Sequence, residues 1–219
     1  MSILDISKYG LALHTTSPQL GIAISNFGND SRCQSWDLGR ELSTHLHLYL
    51  AEFIQPQTWA DLAFMAVAKG PGGFTGTRIG VVTARTIAQQ LDIPIFGIST
   101  LAAFCLESIS ANSPTSTNQT IAVQLPAHRG EVFVAIYQVV SDNLGLIELL
   151  PDTVMTPEKW QEKLDNWPNS YQLITAPDNL GQSVDSLLKL AYLEWQKGLR
   201  PHWSEVLPFY GQHPVENTN

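Results

Sequence analysis

The pattern of apolar and polar positions predicts that the chain begins with three strands and one helix. Two apolar runs, at 9–15 and 21–27, are joined by a short Ser-Pro-Gln segment and predict an antiparallel hairpin. A turn then leads into a third strand at about 32–38. Residues 41–54 are predicted to be helical, because their apolar side chains recur at three- and four-residue spacing.

Strands and helices alternate in the next part of the chain. The apolar run at 62–68 predicts a buried strand, and 75–91 predicts a helix that follows a glycine-rich loop. A short strand at 94–98 and a helix at 101–110 come next. Three strands followed by helix, strand, helix and strand is the order of a ribonuclease H-like half.

The second half of the chain repeats much of this order after a polar linker. Residues 111–119 are rich in Ser, Thr, Asn and Pro, and predict a linker between an N-terminal domain, 1–110, and a smaller C-terminal domain, 111–219. Strands are predicted at 121–125, 132–140, 146–154 and 173–176, and helices from Thr156-Pro157-Glu158 and at 183–197.

The composition limits the classes of function. A hydrophobic fraction of 44% predicts a globular core, and a net charge of −8 disfavours a protein that grips a nucleic-acid backbone on its own. The N-terminus does not match a signal peptide, and no run of about 20 apolar residues predicts a membrane span. Cys33 and Cys105 form no C-x-x-C pair, so both are expected to stay reduced in the cytoplasm.

The loop before the helix at 75–91 carries the strongest candidate chemistry. Its sequence is Gly70-Pro71-Gly72-Gly73-Phe74-Thr75-Gly76-Thr77-Arg78-Ile79-Gly80, with four glycines in the first seven residues. The glycines let the backbone turn sharply and lie close to a neighbour, which is either a ligand at the helix N-terminus or a packed part of the chain. Neither G-x-G-x-x-G nor a P-loop is present, and Arg78 is the only cation in the segment.

This loop and three further segments resemble the bacterial TsaB family. After the loop and its helix comes Pro94-Ile95-Phe96-Gly97-Ile98-Ser99-Thr100-Leu101, which is similar to the family pattern P-x-x-G-[IV]-S-[ST]-L. Residues 11–17 and 21–24 resemble the opening hairpin of the family, and 127–133 resemble its D-A-R-x-G-E-V-Y segment. These segments occur in family order over residues 8–140, beyond which the likeness fades to Pro208-Phe209-Tyr210.

The resemblance implies the fold, role and partners of the chain. It implies an α/β fold of two ribonuclease H-like halves of the actin/sugar-kinase/Hsp70 type, with the second half degenerate. It also implies a non-catalytic scaffold that pairs with TsaD through two helices, joins the small ATPase TsaE and forms a homodimer when alone. That assembly installs threonylcarbamoyl on adenosine 37 of tRNAs that read codons beginning with A, and the chain would contact tRNA only through the complex.

The residues favour a chain without a catalytic, cofactor or metal site. His14 lies where active members of the superfamily carry an acidic residue, and imidazole does not replace a carboxylate as a Mg²⁺ ligand. Pro126 and His128 also depart from the Asp and Arg of the family. These departures count against a sugar- or acyl-kinase-like ATPase. A glycoprotease-like peptidase is another alternative. The segment around Ser99 lacks the glycine that ends a nucleophile elbow, so Ser99 is expected to end a strand or cap a helix.

Two helices are predicted to carry the partner interface. Gly80, Ala84 and Ala88 recur every fourth residue, and small residues at this spacing let another helix approach closely. The predicted interface residues are Leu42, Leu46, Leu50, Phe53, Ile79, Gly80, Thr83, Ala84, Ile87 and Ala88. The alternative is that all these positions face the sheet of the chain itself.

The glycine loop is predicted to set the position of the second interface helix. The loop residues that carry this prediction are Gly70, Gly72, Gly73, Thr75, Gly76 and Arg78. If Gly73 has a positive φ, a β-branched residue there is expected to distort the junction and tilt the helix.

Overall fold

A computed structural model describes residues 4–112, 118–140 and 145–211 of the chain. Within these residues it contains nine strands and five α-helices. The strands are β1 (Tyr9–His14), β2 (Gln19–Ser25), β3 (Ser31–Asp37), β4 (Leu62–Ala68), β5 (Ile95–Ile98), β6 (Thr120–Pro126), β7 (Val132–Val140), β8 (Gly145–Met155) and β9 (Gln172–Thr175). The helices are α1 (Leu42–Phe53), α2 (Phe74–Leu91), α3 (Thr100–Asn112), α4 (Pro157–Asp165) and α5 (Val184–Gln196).

The first sheet has the strand order β3-β2-β1-β4-β5. The first three strands pair antiparallel, whereas β1, β4 and β5 run parallel. The parallel strands are nearly continuous apolar segments because helices cover both of their faces. This order and these strand directions are those of a ribonuclease H-like half.

The two faces of the first sheet bury different kinds of side chain. Leu11 and Leu13 of β1 point into a core of large aliphatic residues beneath α1 and α2. Ala12 lies on the opposite face, where α5 covers small residues such as Ala23 and Ala66. Small residues on this face let α5 and the turn at Leu180–Ser183 lie close to the strands.

The second sheet repeats the topology of the first with one strand fewer. Its order is β8-β7-β6-β9, with β6, β7 and β8 antiparallel and β6 and β9 parallel. Helix α3 packs on one face and α4 on the other. The prediction of two ribonuclease H-like halves with a degenerate second half is therefore confirmed.

The two halves share helices across the predicted boundary at residue 110. Helix α5 belongs to 111–219 in sequence, yet Val184, Leu187 and Ala191 pack on the first sheet. Helix α3 lies in 1–110 for most of its length and packs on the second sheet through Leu101 and Cys105. A division at 110 and 111 therefore separates two sheets but not two independent cores.

The predicted linker at 111–119 is only partly covered, because residues 113–117 lie outside the described residues.

Among the residues that the structure describes, no helix is both long and apolar enough to cross a membrane.

Candidate functional site

The glycine loop is pressed against the end of the first hairpin. The N–H of Gly73 donates to the carbonyl oxygen of Thr16 over 2.7 Å. A Cβ added at Gly72 would overlap that same carbonyl, and one added at Gly76 would overlap the carbonyl oxygen of Thr15. The loop glycines therefore serve close packing of backbone on backbone, which is the second of the two interpretations that the sequence left open.

Gly70 and Gly72 need the conformational freedom of glycine, whereas Gly73 does not. Gly70 has φ +105 and Gly72 has φ +156, backbone conformations that other residues rarely adopt. Gly73 is the N-cap of α2, with φ −61 and ψ 122. The condition of a positive φ at Gly73, on which the expected distortion depended, is therefore not met, and a substitution there does not have to strain the backbone.

The C-terminal segment returns to the glycine loop. The N–H of Phe209 donates to the carbonyl oxygen of Lys69 over 2.7 Å, just before the loop begins. The ring of Tyr210 packs on Phe74 at the start of α2, with ring centroids 4.7 Å apart. The short Pro-Phe-Tyr element therefore braces the loop from outside, and residues 212–219 lie beyond the described residues.

A cleft of about 900 Å³ opens beside the loop, between the two halves of the chain. One wall consists of the hairpin end and the glycine loop, and the other of residues 125–128 with Asp178 and Leu180. Pro126 and His128, which replace the Asp and Arg of the family, line this cleft. Arg40 contributes a positive charge and Asp178 a negative one.

His14 lies at the end of β1 and is fully buried, outside the lining of the cleft. Neither ring nitrogen has a hydrogen-bond partner among the described residues. Burial lowers the pKa of His14 to about 3, so the imidazole is neutral at physiological pH. The position at which the sequence comparison with active members leads one to expect an acid therefore holds an uncharged ring.

The remaining candidate chemistry forms no metal site in the part of the chain that the structure describes. His45 lies 3.5 Å from Glu41 on the surface of α1, and His47 is exposed. No group of three His, Cys, Asp or Glu side chains is placed to hold a metal ion among these residues.

Most of the predicted interface residues point into the core of the chain. Ala84 and Ala88 are fully buried, and a Cβ added at Gly80 would overlap the side chain of Thr15. The other buried members are Leu42, Leu46, Leu50 and Thr83, while Phe53, Ile79 and Ile87 are half-buried against the same core. The stripe of Gly80, Ala84 and Ala88 therefore faces the sheet, which is the alternative that the sequence left open. The interface role of the half-buried Phe53, Ile79 and Ile87 stays a prediction.

The outward faces of the same two helices carry other apolar residues. Leu48 on α1 is 54% exposed, and Val82 on α2 is 60% exposed. Phe74, at the start of α2, is 38% exposed and lies under the guanidinium group of Arg78. Because α1 and α2 pack side by side on the first sheet, these residues lie on one side of the molecule. Sequence periodicity missed them because an isolated exposed apolar residue looks like any other surface position.

Ser99 caps α3 and joins the two halves. Its Oγ accepts hydrogen bonds from the N–H groups of Leu101 and Ala102, at 3.1 and 3.2 Å. The same hydroxyl donates to Oδ1 of Asp152 on β8 over 2.8 Å, and lies 3.2 Å from the hydroxyl of Tyr137 on β7. The capping role was predicted, but Asp152 and Tyr137 were not, since no sequence pattern links them to Ser99.

Comparison with known proteins agrees with this architecture. A family model described as "TsaD: tRNA N6-adenosine threonylcarbamoyltransferase" matches residues 49–189. Two structures from Pseudomonas aeruginosa have the same fold with a TM-score of 0.75. One of them, YeaZ, is 19% identical in sequence, and the match covers 93% of this chain and 99% of the YeaZ chain. The other structure, described as similar to a peptidase YeaZ, is 18% identical and covers 94% of this chain and 100% of its own.

Several relatives at the sequence level carry the same name. The Bacillus subtilis "tRNA threonylcarbamoyladenosine biosynthesis protein TsaB" is 40% identical over 105 residues, which are 48% of this chain and 42% of that protein. The protein of that name from Buchnera aphidicola subsp. Acyrthosiphon pisum is 24% identical. That match covers 76% of this chain and 72% of the Buchnera protein. The match thus spans less than half of the B. subtilis relative. The chain belongs to the TsaB family, within the broader family that the TsaD model describes.

Proposed function

We propose that the chain is a non-catalytic scaffold subunit in the cytoplasmic synthesis of threonylcarbamoyladenosine at position 37 of tRNAs that read codons beginning with A. Several relatives are named for the biosynthesis of this nucleoside. The observation that carries the scaffold role is the pair of exposed apolar side chains, Leu48 and Val82, on two neighbouring helices. A contiguous exposed apolar patch is typical of an association site, and the proposal takes these residues to form one.

The proposed partner is TsaD, bound through the outward faces of α1 and α2. Both helices are anchored by side chains buried in the first sheet, so they offer a rigid surface with little ordering cost on binding. In the absence of TsaD, the same faces of two copies would pair as a homodimer. TsaE would join this assembly, and tRNA would be contacted through the complex because the chain itself carries a charge of −8.

The uncharged side chain at position 14 supports the proposal that the chain does not turn over ATP. An ATPase of this superfamily would need an ionised group there, and burial keeps His14 uncharged. The peptidase alternative would need a nucleophile activated by a base. The hydroxyl of Ser99 is instead engaged in capping α3 and in its hydrogen bond to Asp152.

Replacing Val82 with Arg is expected to weaken binding to TsaD by at least tenfold, about 1.4 kcal/mol or more, while the chain stays folded. A long charged side chain would enter a contact from which water is excluded. The measurement is isothermal calorimetry of purified chain with TsaD from the same organism, beside the thermal melting of each variant.

Two matched variants make this experiment specific. Leu173→Arg changes an apolar residue that is 42% exposed on the other sheet, and it should leave TsaD binding unchanged. Ala84→Arg changes a fully buried residue two positions from Val82, and it should unfold the chain rather than block pairing selectively. If Val82→Arg binds TsaD like the wild type, the proposed surface is wrong.

A further inference from the structure

A second cavity lies between the two halves, formed by other elements than those of the glycine-loop cleft. It has a volume of about 760 Å³, opens to solvent, and is bordered by β5, the start of α3, β7, β8 and the C-terminal part of α5. Much of its wall is apolar, with Phe96, Leu146, Leu190 and Leu193 among the lining residues. Its volume is within the range of small-molecule sites, which are about 300–1,000 Å³.

One carboxylate in this cavity accepts hydrogen bonds from the described residues at only one of its two oxygens. Oδ1 of Asp152 accepts from the Ser99 hydroxyl at 2.8 Å, and the hydroxyl of Tyr137 lies 3.4 Å from it. Ser99 is itself fixed by the backbone N–H groups of α3. Oδ2 of Asp152 has no hydrogen bond to any described residue, although the carboxylate lines the cavity. The arrangement orients one oxygen and leaves the other for a donor from outside the chain.

A lysine lines the same cavity without a hydrogen bond or a close ion pair, and its charge acts on Asp152 only at longer range. The ammonium group of Lys69 forms no hydrogen bond or ion pair with the described residues, Asp152 included. The other lining lysine, Lys197, is already paired with Glu194 at 2.7 Å. The cavity thus combines an available anion, an available cation and an apolar wall.

Keeping Asp152 ionised in this place is costly for the fold. Burial raises the pKa of Asp152 to about 6, and the negative charge of Glu148 acts in the same direction. The hydrogen bond from Ser99 and the charge of Lys69 oppose this increase but do not cancel it. A carboxylate retained at such a cost in a cavity is typical of a functional site.

We propose that this cavity binds a free α-amino acid with an apolar side chain. The ammonium group of the ligand would donate to Oδ2 of Asp152, its carboxylate would pair with Lys69, and its side chain would lie on the apolar wall. A ligand with only one of these charges would leave Asp152 or Lys69 unpaired in a partly desolvated site, which costs affinity. Glu148 adds negative charge beside Asp152 and favours the ammonium end in that orientation.

The test is isothermal calorimetry of the full chain with leucine, methionine and phenylalanine. For leucine, 3-methylbutylamine and 4-methylpentanoate are matched probes that lack the carboxylate and the ammonium group, respectively. At least one amino acid should bind with one-to-one stoichiometry, and each leucine-like probe with a single charge should bind at least tenfold more weakly than leucine. The affinity should also fall as the pH is lowered below about 6, because protonated Asp152 no longer attracts an ammonium group.

Variants at the two charges make the result specific. Asp152→Asn and Lys69→Met should each weaken binding at least tenfold, while Lys163→Met on the distant α4 should not change it. Thermal melting of each variant establishes that the fold is intact. The proposal is overturned if no amino acid in the panel binds up to about 10 mM, the weak limit of a specific site. It is also overturned if binding is insensitive to both variants. Neither outcome bears on TsaD binding, which the scaffold proposal assigns to α1 and α2.

Discussion

Gly76→Ala is expected to lower the free energy of unfolding by about 3 kcal/mol or more, which is at the high end for one added methyl group. The new Cβ would overlap the carbonyl oxygen of Thr15 at the end of β1. To relieve this overlap, α2 would have to move away from the hairpin. Gly80, one turn later, is also packed closely against Thr15. The helix therefore cannot tilt about this point without losing packing along its buried face.

Gly73→Ala is the matched control for this prediction. It adds the same methyl group three residues earlier, where the nearest atom, the carbonyl oxygen of Thr16, is 3.5 Å away. Because φ is −61, alanine fits the backbone, and the stability should change by less than about 1 kcal/mol. Urea unfolding followed by circular dichroism measures both variants. Equal stability of the two would contradict the close approach of α2 to the hairpin.

His14→Asp, which introduces the acidic residue expected of active members of the superfamily, is expected to destabilise the chain by about 4 kcal/mol at pH 7.5. The position is fully buried, and no described residue donates a hydrogen bond to the side chain there. An ionised carboxylate would therefore lose its hydration without gaining a partner. His14→Phe removes the unpartnered nitrogens in a ring of similar size, and should be as stable as the wild type or more so.

The pH dependence of stability should have opposite signs in the wild type and in His14→Asp. Burial lowers the pKa of His14 from 6.5 to about 3, so the unfolded state binds more protons between these values. The contribution of His14 to stability is therefore lost as the pH falls through that window. In His14→Asp, burial raises the pKa of the carboxyl group, so stability should fall as the pH rises above about 4. A His14→Asp variant as stable as the wild type at pH 7.5 would mean that position 14 has a partner for an anion.

Much of the fold could be predicted from local sequence signals. The strand at Val132–Val140 and the helix α2 follow from apolar runs and periodicity, and Thr156 caps α4 by accepting from the N–H of Lys159, as its sequence predicts. The return of α5 to the first sheet could not be predicted in this way. An amphipathic helix gives the same pattern whichever sheet it covers.

The candidate site was predicted less well, for two physical reasons. Periodicity identifies the apolar face of a helix but does not say whether a sheet or a partner covers it, so Ala84 was assigned outward and lies inward. Contacts between distant segments leave no local pattern, so the hydrogen bond between Ser99 and Asp152, 53 residues apart, appears only in three dimensions. The need for glycine at position 76 likewise arises from Thr15, on another element.

The central claim is that the chain supports threonylcarbamoyladenosine synthesis by holding TsaD through α1 and α2. The most direct measurement is mass spectrometry of digested tRNA from a host strain that lacks the gene and carries the wild type, Val82→Arg or Leu173→Arg. The account predicts that the nucleoside is lost on deletion, restored by the wild type and by Leu173→Arg, and not restored by Val82→Arg at equal protein abundance. An unchanged amount of the nucleoside in the deletion strain would contradict it.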